Sequence, residues 1–213
     1  MSDSSTGNDT TKRTRRDRDD IRERLIEAAV AEFAAKGFEA ASTRAIAARI
    51  DAHQPQINYH FKSKLELWRA AMNHLFAQLD EAMAGLAPYD SNRDQFADLI
   101  RRFVRFSAEH PELHQILLQE ETAPTDRAAW LTDTHVRPLY EAVRQLWSEL
   151  RAEGVAAPVA DEMIHYVLAG AASLPSANAS EARLLWGYEP TDPDRVEAHA
   201  DSLVALLLPD QGD

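Results

Sequence analysis

The chain has 213 residues, 45% of them hydrophobic and 27% charged, with a net charge of −12 and no cysteine. That length supplies one small and one medium domain with enough apolar material for a core, and the lack of cysteine excludes disulfides and thiolate zinc sites. No apolar run approaches the ~18 residues that span a membrane, and the first twenty residues lack the apolar segment of a signal peptide, so a cytoplasmic protein with no membrane partner is expected.

Residues 1–17 are polar and are predicted to be disordered. Lys12, Arg13, Arg15 and Arg16 make a short basic arm there. Two readings stay open for it: a solvated tail, or an arm that touches a phosphate or the minor groove. Ile21, Leu25, Ala28, Ala29 and Phe33 then form a helical stripe. It closes at Gly37, and a Schellman arrangement would fold Phe38 back on Phe33.

The segment from Ser42 to Lys64 reads as two short helices joined by a tight turn, followed by the start of another. Ser42 suits an N-cap. Ile46 and Ile50, four apart, share an inward face, while Thr43 and Arg44 face out at the helix N-terminus, where exposed N–H groups attract phosphate. The corner is Asp51-Ala52-His53, and Asp tolerates the left-handed backbone that such corners use. Pro55 fits the first turn of the second helix, where its missing N–H costs nothing. Ile57 is the aliphatic anchor of that helix, surrounded by Gln54, Gln56, Asn58, Tyr59 and His60. So polar a short helix is suited to the major groove of DNA. Arg44, Gln54, Pro55 and Gln56 are the expected base readers, because Gln can pair with adenine and a Pro ring can pack on a thymine methyl. Ser42, Thr43, His53, Asn58, Tyr59, His60, Lys62 and Lys64 are the expected phosphate contacts. Ser63-Lys64-Leu65-Glu66 is a capping box that opens the next helix.

That connecting helix carries Leu65, Trp68, Met72, Leu75, Phe76, Leu79 and Met83 over residues 65–84. After a break at Gly85–Ser91, Phe96, Leu99, Ile100, Phe103 and Val104 form another stripe, with Asp90 to Asp98 as a solvated acidic face. Pro111 starts a short helix with Leu113, Ile116 and Leu117. Trp130 to Leu150 reads as one long helix bent at Pro138. Pro158 opens a helix with Met163, Tyr166, Val167 and Gly170, and Asp192-Pro193 launches the last one. No segment reads as a strand. The fold class is therefore all-α: a helix-turn-helix DNA-binding domain over 18–64, the connecting helix over 65–84, and a larger helical domain over 85–213.

Charge is divided between these parts. Residues 1–70 hold 13 Lys and Arg against 11 Asp and Glu, whereas residues 71–213 hold 10 against 24. The acidity belongs to the second region, and the DNA-binding segment is locally cationic. Catalytic motifs are missing: there is no Gly-x-Ser-x-Gly and no phosphate loop, so no enzyme activity and no cofactor is expected. His110 and His114 are spaced as zinc ligands on a helix would be. Pro111 takes the place of the glutamate in His-Glu-x-x-His and leaves His110 at the helix edge, so no metal site is assigned.

The Ser42-Thr43-Arg44-x-Ile46-Ala47 opening, the Tyr59-His60-Phe61 run, Ser63-Lys64, and the upstream Ala34-Ala35-Lys36-Gly37-Phe38 together resemble the DNA-binding domain of TetR-type transcriptional regulators. The resemblance covers residues 18 to 80 and departs at Asp51, where that family usually has glycine. It implies a homodimer, most often a repressor, on a palindromic operator in double-stranded DNA. It also implies dimerisation through the last long helices, for which Met163, Val167, Gly170, Ala171, Val196, Leu203 and Leu207 are the expected interface residues. A small-molecule effector would occupy a cavity in the second domain. Trp68, Phe103, Leu117, Trp130, Tyr140, Trp147, His165 and Tyr166 are the expected lining, which points to a partly hydrophobic ligand. The other reading is a helical small-molecule-binding or interaction protein that does not read DNA sequence.

Overall fold

The computed structural model describes residues 6–85, 89–120, 122 and 124–209, with side chains described from residue 20 onward in those segments except at residue 54. All regular structure among the described residues is helical. The chain divides into two compact units, Met1–His74 and Leu75–Asp213.

The first unit consists of α1 (Thr6–Ala40), α2 (Thr43–Arg49), α3 (Gln54–His60) and the start of α4 (Lys64–Met83). Residues 6–17 are helical where a disordered arm was predicted. Residues 8–36 contain neither glycine nor proline, so nothing in the sequence stops a helix seeded near Phe33 from propagating backward. Residues 1–5, and the side chains of Lys12, Arg13, Arg15 and Arg16, lie outside the described residues. The helical path breaks at Gly37, with φ 71° and ψ 169°, a conformation open to glycine. This is not the left-handed closure of a Schellman turn. It nevertheless lets Phe38 stack on Phe33 with ring centroids 6.0 Å apart and meet Trp68 edge-on at 6.2 Å. Leu25, Ile46, Ile57, Leu67 and Trp68 are fully buried with Phe33 in this small core.

One carboxylate joins α1 to α2. Glu32 is only 1% exposed. It accepts from Lys36 Nζ at 2.8 Å and from Arg49 Nε and Nη2 at 3.3 and 3.1 Å. The hydrogen bond from Lys36 outweighs the opposing effect of burial and, with Arg49, holds the carboxyl below its usual range.

The second unit holds the rest of α4, then α5 (Asn92–Glu109), α6 (Pro111–Glu120), α7 (Asp126–Leu131), a π-helical turn (Thr132–Val136), α8 (Arg137–Ala152), α9 (Ile164–Ala177), α10 (Ala179–Trp186) and α11 (Pro193–Leu207). α5 packs against α9 and α11. Phe96, Ile100, Trp147, Leu150, Ile164 and Ala200 are fully buried in the core between these elements. Asp98 does not sit on a purely solvated face. It accepts from Tyr89 Oη at 2.5 Å and from Arg102 Nε at 2.6 Å, and Arg102 Nη1 also donates to the carbonyls of Ala82 and Ala84. An arginine of α5 thus satisfies carbonyls at the end of α4 that the helix itself leaves open.

Two predicted helices are divided differently. The Trp130–Leu150 helix is interrupted by the π turn ahead of Pro138, where the Arg137 N–H reaches back to the Thr132 carbonyl. Proline has no N–H and its ring crowds the carbonyl four residues earlier, so a wider turn relieves the clash. The helix expected from Pro158 starts only at Ile164. The preceding loop makes tertiary bonds instead: the Val159 carbonyl accepts from Trp147 Nε1 at 3.0 Å, and the Ala157 N–H donates to the Leu207 carbonyl at 2.8 Å. At the other end, Asn178 breaks the path and α10 continues to Gly187, which caps it in the left-handed region at φ 74°.

Candidate functional site

The first unit builds a helix-turn-helix from local rules. Ser42 Oγ accepts from the Ala45 N–H at 3.5 Å and caps α2. The corner is Asp51, in the left-handed region at φ 55°. The Ala52 N–H returns to the Ala47 carbonyl at 2.9 Å, and Arg24 of α1 donates to the Ile50 carbonyl at 3.3 Å. Ile46 and Ile57 are buried, and Ile50 is half-buried. Phe61 turns inward beneath the Arg22 guanidinium, 5.4 Å from its ring centroid. Tyr59 turns outward and is 68% exposed, its ring edge-on to His60.

The predicted DNA-contacting residues lie on the outside of this unit. Ser42, Arg44, His53, Pro55, Asn58, Tyr59 and Lys62 are exposed, while Thr43, Gln56, His60 and Lys64 are half-buried. The Gln54 side chain lies outside the described residues. Two of the residues also have structural jobs that spacing did not reveal. Gln56 Oε1 accepts from the His53 N–H at 2.8 Å, so the proposed base reader also caps its own helix. Lys64 Nζ donates to the Glu39 carbonyl at 3.1 Å and sits 4.7 Å from the Phe38 ring centroid. Its ammonium is therefore also tied to the end of α1, a structural role beside the expected phosphate contact. Lys62 is exposed, and its backbone N–H is held by Glu66 Oε2 at 2.7 Å while Ser63 Oγ accepts from the Glu66 N–H at 3.1 Å.

The second unit contains an open-mouthed cavity of about 320 Å³. Of the expected lining residues, Phe103, Leu117, His165 and Tyr166 are on its wall, together with Phe76, Leu79, Leu139 and others not among the expected lining. Four expected residues are elsewhere. Trp68 is sealed in the core of the first unit, and Trp147 is sealed in that of the second. Trp130 packs edge-on to His135, and Tyr140 packs edge-on behind His165. Tryptophan content marks burial as readily as a ligand site, and only the fold distinguishes them. A smaller chamber of about 100 Å³ shares Leu79, Phe103, Leu139, His165 and Ala169 with the cavity and continues to Leu99 and Val143. Burial pushes His114 and His165 on the wall below the usual imidazole range. Among the described residues no three His, Asp or Glu side chains gather as a metal ion would require. Nor is any described helix long and apolar enough to cross a membrane.

The expected interface residues also divide. Val196, Leu203 and Leu207 are buried within this chain's own core, because the apolar face of α11 is used against α5. They are corrected to core positions. Met163 is exposed, and Val167, Gly170 and Ala171 are half-buried. Exposed apolar side chains occur instead at Leu174, Leu184, Leu185 and Leu206, on α9, α10 and α11.

A helix-turn-helix unit followed by a helical unit around an apolar cavity defines a two-domain, all-α regulator that binds DNA. Comparison with known families agrees with this class. Residues 25–71 match the model for bacterial regulatory proteins of the tetR family, and residues 92–209 match that for the C-terminal domain of the HTH-type transcriptional dual regulator CecR. The chain belongs to the TetR family of transcriptional regulators. Among solved structures, AibR in complex with isovaleryl coenzyme A and operator DNA is similar over 88% of this chain and 98% of its own, at 18% identity and a TM-score of 0.72. The ketosteroid transcriptional regulator KstR2 of Mycobacterium tuberculosis aligns over 89% and 95%, at 16% identity and 0.69. A TetR-like regulator from Rhodococcus sp. RHA1 aligns over 86% and 91%, at 22% identity and 0.65. At these identities the likeness is one of fold. A comparison with curated proteins gave no match.

Proposed function

We propose that this chain is a cytoplasmic, ligand-responsive repressor that binds a palindromic operator as a homodimer and leaves it when a small molecule fills the cavity of the second unit. The observation that carries this reading is the pairing, on one chain, of an outward-facing polar helix-turn-helix with a largely apolar cavity. Arg44, Gln54, Pro55 and Gln56 are assigned to base edges, and Ser42, Thr43, His53, Asn58, Tyr59, His60 and Lys62 to phosphates. A single seven-residue recognition helix touches few bases, and a two-fold pair doubles the contacts. The exposed apolar residues of α9, α10 and α11 supply a surface for that pairing.

The similar AibR structure holds both operator DNA and isovaleryl coenzyme A, which supports a ligand-responsive role here. α4 is the natural coupling element, because it places Leu67 and Trp68 in the first core and Phe76 and Leu79 on the cavity wall. Release requires the ligand to favour the conformation that does not bind DNA, since equal affinity for both would shift nothing. The test is selection of binding sites from random DNA. A recovered palindrome with one protomer per half-site is expected. Recovery of no preferred sequence would leave a helical ligand-binding protein that does not read DNA.

A further inference from the structure

Among the described residues, the wall of the cavity carries no Asp, Glu, Lys or Arg. The polar side chains of those wall residues are hydroxyls, from Ser107, Tyr166 and Ser173, and imidazoles, from His110, His114 and His165. We propose that the cavity takes an uncharged ligand, a hydrocarbon chain or ring system ending in one neutral hydrogen-bonding group such as an amide, alcohol or ketone, and that it discriminates against carboxylates and amines of the same shape. This inference rests on the cavity being the effector site.

Three observations carry it. First, an ion transferred into an apolar cavity without a partner loses far more than it gains, and the described wall residues offer no fixed charge to pair with. A carboxylate would need a protonated imidazole. Burial works against that at His114 and His165, so these two rings favour the neutral donor–acceptor form, while the third wall imidazole, His110, packs on the Phe106 ring with centroids 4.8 Å apart. An amine would need an acidic side chain, and none of the described wall residues is acidic.

Second, the wall offers an unspent donor. Ser107 Oγ of α5 and Ser173 Oγ of α9 lie 3.2 Å apart, both buried. Two hydroxyls have two protons, and the bond between them uses one. The other is available to a carbonyl or hydroxyl oxygen entering from the cavity, where an apolar surround strengthens the bond.

Third, the enclosure is long as well as apolar. The smaller chamber beyond Phe103 and His165 is walled by Leu79, Met83, Leu99, Val143 and Leu168. A polar end at the serine pair leaves an apolar tail to run into this chamber. Leu118, Tyr166 and Leu174 are both wall residues and substantially exposed, at 42%, 65% and 44%, which places the mouth between α6 and α9.

The test uses the full chain at neutral pH with three probes of equal length: octanamide, octanoate and octylamine. Binding is read by calorimetry and by the rise in Tm, which follows ligand occupancy of the folded state. A second protein, Gly170→Leu, blocks the cavity. Gly170 is on the wall, and a Cβ added there meets nothing within 4 Å, so the substitution fills space without a clash at its base. Octanamide is expected to bind at least about tenfold more tightly than either charged probe, a difference of ~1.4 kcal/mol, and to lose that binding in Gly170→Leu. Octanoate or octylamine binding as tightly as octanamide, with the same loss in Gly170→Leu, would overturn the uncharged ligand while leaving the effector site in place. Binding of no probe, or binding unchanged in Gly170→Leu, would overturn both.

Discussion

Asp51 is where a side chain stands in a backbone region that favours glycine, at φ 55°. An ordinary L-residue there costs about 1–2 kcal/mol, and Asp somewhat less because its short polar side chain bonds locally. Asp51→Gly is therefore expected to leave the turn intact and to change stability by less than about 1 kcal/mol. Asp51→Ala is expected to cost about 1 kcal/mol, and thermal unfolding of the two variants measures the difference. A larger loss in Asp51→Gly would show that the carboxylate, not the backbone, holds the corner. Gln56 raises a different question, since its side chain caps α3 and is also assigned to a base. The two roles separate chemically. Gln56→Glu keeps an oxygen to accept from the His53 N–H but loses the amide donor that adenine recognition uses. Its Tm is expected to match the parent while preference at one operator position shifts by about 1–3 kcal/mol. Gln56→Ala is expected to lose both the cap and the preference. A Gln56→Glu protein that selects the parental palindrome would remove Gln56 from the base readers. The polarity of α3 was legible in the sequence, because so many amides and rings on one short helix have no core use. Its second job was not, because a side chain returning three residues to its own N-cap looks the same in sequence as one reaching outward.

At the scale of elements, local signals located helix starts well where a cap made them. Ser42, Ser63 and Asp192-Pro193 each open a helix in the structure. Tertiary demands decided the rest. The loop before α9 forgoes helical bonds because Trp147 and Leu207 claim its polar groups, and no reading of residues 155–163 alone contains those partners. For the same reason the apolar stripe of α11 was visible but its destination was not: a stripe facing α5 and one facing a second copy have the same spacing. Glu32 shows how an ion pair fixes two elements together. Its carboxylate is held below the usual range by Lys36 and Arg49, so the folded state gives up this proton more readily than the unfolded chain does. That contribution is fully present above the unfolded pKa and is lost as pH falls through the lower folded value. Glu32→Gln is expected to destabilise the first unit by about 1.5–3 kcal/mol at neutral pH, the range for hydrogen bonds to charged groups. The gap between variant and parent should close on acidification. An equal gap at all pH values would mean that the loss comes from packing rather than from charge.

For the whole molecule, the decisive quantity is the field that DNA meets. The net charge of −12 is concentrated in residues 71–213, and residues 1–70 are slightly cationic. Attraction at the DNA face must therefore act over a short range against an acidic remainder, which predicts strong weakening of operator binding by salt. The size of that dependence also counts protomers. Lys62 is exposed, and the bonds at its position involve its backbone N–H, so Lys62→Ala is expected to remove the proposed phosphate contact without disturbing the cap of α4. Each phosphate contact contributes about 0.9 to the slope of log affinity against log salt. A single subunit on DNA would lose about one unit of slope. A homodimer carries the substitution twice and is expected to lose about two units. The loss should be uniform across operator variants, because a phosphate contact has no base to prefer. Lys64→Ala serves as the contrast. Its ammonium is committed to the Glu39 carbonyl and the Phe38 ring, so Tm is expected to fall and the slope to change less than in Lys62→Ala. A slope change of one unit for Lys62→Ala, with a single protomer per DNA molecule by sedimentation, would overturn the dimer while leaving the helix-turn-helix as the reader.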